Sequence, residues 1–162
     1  KITINDIAED CGISRMTFYY HFQDIYDLVE WSCIQDAEEV LQGHKTSDTW
    51  EEGLYALFNA ILDNKPFITN VYRSVSREHI ETYLYKITYK LLKDVVDEQA
   101  TGMNVREDDK QFLANFYKYS FVGLILEWIN NDMRTDPEMI MRKLDKAIKG
   151  NIKEALKRYE TF

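Results

Sequence analysis

The sequence predicts an all-α protein. Only two prolines interrupt 162 residues, runs of β-branched residues are few, and apolar residues recur at the 3.6-residue spacing of helices along most of the chain. The first element follows Thr3, a suitable N-cap, and places Ile4, Ile7 and Ala8 on one face of a short helix. Gly12 then stands where a tight turn needs positive φ, and Ser14 can cap a second helix, Arg15 to His21. Phe18 and Phe22, four apart, give that helix its inner side. Two short helices joined by a turn of about three or four residues containing Gly are the helix-turn-helix pattern.

Asp24 is expected to cap a third helix, Ile25 to Leu41, with Leu28, Trp31, Ser32 and Cys33 inward. Residues 43–48 read as a loop. Thr49-Trp-Glu-Glu52 reads as a capping box opening a helix to Asn64, with Leu54, Leu57, Phe58, Ile61 and Leu62 as its stripe. Pro66 suits the first turn of a short helix to Arg73. Ser76 is expected to cap a long helix to Gln99 whose Ile80, Leu84, Ile87, Leu91 and Val95 point inward. A loop at 101–105 contains Gly102. From Phe112 to Ile129 apolar residues surround the helix, which predicts burial all round. In a chain this small, one side of that helix would face the core and the other a second copy, with Gly123 allowing close approach. Asp136-Pro137 opens a last helix, expected to run unbroken to Tyr159, with one stripe through Ile140, Leu144, Ile148, Ile152 and Leu156. A homodimer is therefore expected as a four-helix bundle about a two-fold axis, with Phe116, Ser120, Gly123, Leu124, Leu144, Ile148 and Ile152 at the interface.

Composition narrows the function. The net charge is −8, and residues 1–41 hold two bases (Lys1, Arg15) against nine acids, six of these at or after Asp24. An acidic N-terminal segment opposes DNA binding, which leans on phosphate neutralisation. No apolar run approaches the ~20 residues of a membrane span, and no signal peptide opens the chain. Cys11 and Cys33 are expected as buried free thiols of a cytoplasmic protein. Enzyme signals are absent. The six glycines are scattered, the three histidines have no partner at metal-ligand spacing, and no Gly-x-Ser-x-Gly occurs. No cofactor or metal is expected.

The run Ile2-Thr-Ile-x-x-Ile-Ala-x-x-Cys-Gly-Ile-Ser-x-x-Thr-Phe-Tyr-x-His-Phe22 resembles the N-terminal region of the TetR/AcrR family of bacterial transcription regulators. The stretch Ala60-Ile-Leu-Asp-Asn-Lys-Pro-Phe67 is similar to the regulators typified by the activator of dihydroxyacetone kinase operons. The resemblance implies a helix-turn-helix domain with its connecting helix at 1–41 and a regulatory, dimerising domain at 42–162. It implies a first helix before Lys1. Carried over residue by residue, Ser14, Arg15, Met16, Thr17, Tyr20 and His21 would face a double-stranded operator. Arg15 would meet a guanine edge or a phosphate, while Thr3 and Tyr19 would hold phosphates by their hydroxyls. Ile25 stands where the family commonly has a phosphate-binding Lys. The resemblance also implies an effector cavity, for which Tyr55, Phe58, Phe67, Tyr72, Tyr83 and Tyr117 are candidates, while Arg73 and His79 read as surface. The function implied is a homodimeric DNA-binding regulator modulated by a small molecule or a protein partner. The alternative is a co-regulator with a degenerate head that acts through protein binding, which Ile25 and the acidic segment favour.

Overall fold

The computed structural model describes all residues except 1, 45, 47, 74–76 and 162. Among the described residues there are helices and no strands: α1 (Ile4–Asp10), α2 (Arg15–His21), α3 (Ile25–Val40), α4 (Trp50–Asp63), α5 (Lys65–Arg73), α6 (Arg77–Gln99), α7 (Glu107–Asn130), α8 (Pro137–Ile148) and α9 (Asn151–Tyr159). None is long and apolar enough to cross a membrane.

Helices α6 and α7 form the spine. Lys93 and Asp97 near the end of α6 pair with Glu107 and Lys110 at the start of α7 (Lys93–Glu107 2.9 Å, Lys110–Asp97 3.0 Å). Tyr85 meets Tyr119 further along, at 5.5 Å between ring centres, so the two helices run antiparallel. Their shared seam holds Leu84, Leu91, Leu92, Val95 and Val96 against Ala114, Phe121, Val122 and Ile125, all buried. Helix α4 lies along α7 through Trp50–Phe121 and Phe58–Trp128. Helix α3 is tied to α6 by Lys90–Glu38 at 2.6 Å and by Tyr26 stacked on His79 at 5.6 Å. Ala8 and Phe18 of the first two helices are buried but stand outside this main cluster.

Local chemistry sets the boundaries. Helices α4 and α5 part at Asn64 because Pro66 has no N–H to continue the ladder. Asp136 caps α8 through Glu138 N at 2.8 Å, with Pro137 in the first turn. At the end of α7, Asp132 N bonds Ile129 O and Met133 N bonds Trp128 O. This is a Schellman closure in which Asp132 takes φ 61° without being Gly.

Several expectations are corrected. The single last helix is two, because Gly150 turns left-handed at φ 76° while the apolar period runs on through the break. An added Cβ there meets nothing within 4 Å. The cost of Gly150→Ala is therefore purely conformational, about 1 kcal/mol. We expect it to lower the melting temperature by about 2–4 °C, and a variant melting with the parent would place the break elsewhere than in the glycine.

The box at Thr49 does not form. The Thr49 hydroxyl faces the Thr46 hydroxyl at 2.7 Å and makes no cap bond to the helix. Ser76, expected to cap α6, lies outside the described residues. Cys11 is exposed and Cys33 only partly buried, so neither thiol is in the core. Cys11 is the C-cap of α1, on the turn rather than under it. Trp31, expected inward, is half exposed, and Phe22 is partly rather than fully buried.

Candidate nucleic-acid interface

The N-terminal helices are closed by their own side chains. The Thr3 hydroxyl accepts from Asp6 N at 3.3 Å, and Thr3 N donates to Asp6 Oδ2 at 2.7 Å, a complete capping box. The Thr3 hydroxyl also donates to Asp6 Oδ2 at 2.7 Å, so its proton serves this cap. The Thr3 side chain, then its backbone, holds the Asp6 carboxyl below its ordinary range. The turn closes with Gly12 N to Glu9 O (3.1 Å) and Ile13 N to Ala8 O (2.9 Å), which requires the left-handed φ of 64° that Gly12 supplies. Ser14 Oγ then accepts from Thr17 N at 3.1 Å and lies 2.9 Å from the Thr17 hydroxyl, starting α2.

One residue anchors α2. Phe18 is buried and meets Phe22 at 5.6 Å, while the rest of the helix points out. Arg15 and Tyr19 form one exposed row a turn apart, and Met16 and Tyr20 form a second. Met16 is 79% exposed and Tyr20 86%, too much for side chains of this kind unless something covers them. Ser14, Thr17 and His21 are also exposed, and the His21 ring meets Tyr20 edge-on at 5.1 Å. Arg15 makes no ion pair among the described residues and is the one Lys or Arg in 2–41. The structure thus brings Ser14, Arg15, Met16, Thr17, Tyr19, Tyr20 and His21 onto one projecting helix, with Thr3 at the start of its neighbour. Ile25, the first residue of α3, is half-buried.

A second feature lies behind this head. A cleft of about 460 Å³ opens between α3, α4 and α5, with Tyr83 of α6 also lining it. Helix α3 turns Val29, Ser32, Cys33, Asp36 and Ala37 toward it, at helical spacing. Burial, with Asp36 adding, pushes the Cys33 thiol up, so it stays protonated. Burial, with Cys33 and Asp36 nearby, pushes the Tyr83 phenol well up too. Of the aromatic residues expected around a cavity, Phe67 and Tyr83 line this cleft. The others go elsewhere. Phe58 is core, 5.0 Å edge-on to Trp128. Tyr72 sits under the Arg77 guanidinium. Tyr55 lies in a shallow groove against α8, and Tyr117 in a groove between α7 and α9. Arg73 is exposed, and exposed His79 stacks on Tyr26 with Nδ1 3.7 Å from Glu30. The sequence signal for the α3 lining was its 29-32-33-36-37 spacing; only the crossing of α4 and α5 shows that it faces space.

Two family profiles match this chain. One, described as "Bacterial regulatory proteins, tetR family", covers residues 1–30. The other, the family's "Transcriptional regulator C-terminal region", covers residues 48–150, more than half of the chain. The chain belongs to the TetR family of bacterial transcription regulators. Members of this family are regulators, not enzymes. Among relatives, an uncharacterized HTH-type transcriptional regulator, YerO of Bacillus subtilis (strain 168), is 25% identical over 95% of this chain and 60% of its own length. The chain therefore spans only about 60% of that relative. The HTH-type dhaKLM operon transcriptional activator DhaS of Lactococcus lactis subsp. lactis (strain IL1403) is 24% identical over 80% of this chain and 69% of its own. A solved structure of a dihydroxyacetone kinase operon activator DhaS superposes with a TM-score of 0.61, covering 99% of this chain and 88% of that one. At 21% identity this is a likeness of fold.

In this TetR-family chain α7 has two apolar faces. Leu113, Tyr117, Phe121, Ile125 and Trp128 are buried on one. Phe112, Phe116, Ser120, Gly123 and Leu124 are exposed on the other. Within one protomer the helix is covered on one side only, as expected of a helix whose other side would face a second copy. Of the residues expected at a two-fold interface, Phe116, Ser120, Gly123 and Leu124 are exposed, whereas Leu144 and Ile152 are spent on the protomer's own core and Ile148 is half-buried. The apolar stripe of α8 and α9 mostly packs inward, which sequence period cannot distinguish from packing on a partner.

Proposed function

We propose that the chain is a homodimeric, DNA-binding transcription regulator with a reading head at 1–41 and a regulatory, dimerising part at 42–162, working in the cytoplasm. The observation that carries the reading is α2, capped at Ser14, anchored by Phe18 alone, and presenting Arg15 with Tyr19 and Met16 with Tyr20 to solvent. A helix held in this way suits the major groove, where base edges can be read. Two such helices in one dimer must reach successive grooves, about 34–36 Å apart.

The outer face of α7 supports the dimer. Gly123 is exposed with nothing near its missing Cβ, so a larger residue there leaves the protomer unstrained. We expect Gly123→Leu to lower the dimer fraction in sedimentation at low micromolar concentration while melting behaviour at high concentration persists. A fully dimeric variant would move the interface off this face.

The cleft supports modulation by a small molecule. Trp31 lines it, and the Trp31 ring meets Phe22 at 5.7 Å, which in turn meets Phe18. An occupant against α3 thus reaches the anchor of the reading helix through two ring contacts. It can shift DNA affinity only by its differential affinity for the two forms.

A second reading, a co-regulator acting through protein contacts, is favoured by Arg15 being the one Lys or Arg in 2–41 and by Ile25 at the start of α3. An unbiased operator selection with the complete protein, followed by gel shifts across salt concentrations, separates the two. A selected palindrome supports the first reading, and no enrichment supports the second.

A further inference from the structure

The α3–α4–α5 cleft has an uneven chemistry. Its walls are largely apolar, with Leu57, Ile61 and Ile68 among them, and three aromatic side chains, Trp31, Phe67 and Tyr83, reach it. Among its lining residues Asp36 is the one carboxylate, and no Lys, Arg or His lines it. Asp36 makes no ion pair among the described residues. Cys33 and Tyr83, held neutral by burial, add no second charge. Tyr83 and Asp36 line the same cleft, which gives it an aromatic ring and a carboxylate together.

From this arrangement we infer that the cleft takes a lipophilic organic monocation, its positive head between Asp36 and the Tyr83 ring and its apolar body over Trp31 and Phe67. The reasons are complementary. A cation gains from both a carboxylate and the negative face of an aromatic ring; Asp36 is exposed, so the head group it meets keeps part of its water. The apolar walls favour a hydrocarbon body. An anion would meet Asp36 with no balancing base. A highly hydroxylated ligand would find Ser32, Asp36, Asn64 and the Tyr83 hydroxyl but would bury its other hydroxyls against apolar walls. The volume of about 460 Å³ is within the range of small-molecule sites. The inference rests on the cleft being the effector site proposed above and adds its ligand class.

The test uses the complete protein without DNA and two probes of the same shape. One is 4-phenylbutyl-trimethylammonium; the other is its uncharged analogue, with carbon in place of nitrogen. Calorimetry, supported by the change in tryptophan fluorescence, to which Trp31 contributes with Trp50 and Trp128, reads binding. The expected result is a cation preference of about tenfold or more. Asp36→Asn should abolish the preference, and Phe67→Leu, which meets only the apolar body, should weaken both probes alike and leave the preference in place. Glu39→Gln, the same charge change one turn away on exposed α3 surface outside the cleft, should retain it. Equal binding of the two probes, an Asp36→Asn variant that keeps the preference, or no binding of either probe would each overturn the inference. If the cation binds as expected but leaves DNA affinity untouched, the ligand class stands and the coupling proposed above fails.

Discussion

Phe58→Ala is expected to cost about 3–5 kcal/mol of folding stability. The ring is 1% exposed on α4 and packs edge-on against Trp128 at 5.0 Å. Trp128 is itself held by its indole N–H, which donates to Thr135 O at 2.8 Å, so it is not free to swing into the hole. The loss therefore combines transfer and cavity terms with little relaxation. Phe58→Leu, closer in volume, should cost much less. Urea unfolding at one fixed protein concentration reads both, since dimer formation would make the midpoint concentration-dependent. The alternative role, a wall of a ligand cavity, makes the opposite forecast: Phe58→Ala would then leave stability nearly unchanged and weaken ligand binding.

The second large effect is expected on DNA. Arg15→Ala should cost about 1–3 kcal/mol on the selected operator and relax sequence choice where Arg15 reads a base. Arg15 is the first residue of α2, exposed, and unpaired among the described residues, so no internal contact is lost with it. Tyr19→Phe should instead weaken all sequences alike, because a phosphate carries no sequence information. Gel shifts on the operator and on a scrambled duplex separate the two effects. If neither substitution alters binding, α2 is not the reading helix.

The helix-turn-helix was legible because its determinants are local. Thr3 with Asp6, Gly12 in the turn and Ser14 with Thr17 lie within three residues of what they cap, so composition and spacing suffice. Asp24 and Asp136 were readable for the same reason. What was not legible is long-range. Helix α7 is apolar on two faces, and no period says which face the rest of the chain will cover. The stripe through Ile140 to Tyr159 keeps step across Gly150, so its 3.6-residue pattern concealed a break that only the backbone angle reveals. The six aromatic residues assigned to a cavity are alike in sequence terms. Helix crossings sent Phe67 and Tyr83 to the cleft and Phe58 to the core, and brought Asp36, which gives the cleft its charge, into the same lining.

The most direct test of DNA docking requires no knowledge of the operator. Ile25 is the first residue of α3, immediately after the reading helix, and only half-buried, so a Lys there can lay its stem on the surface and keep its ammonium in water. If α2 enters the major groove, that ammonium faces a phosphate. Binding of the complete protein and its Ile25→Lys variant to a duplex of arbitrary sequence should be measured across salt concentrations. The account predicts tighter binding at low salt and, for a dimer gaining two phosphate contacts, a plot of log K against log salt steeper by roughly 1.8 units. A folded Ile25→Lys variant with the same low-salt affinity and the same slope as the parent would contradict it.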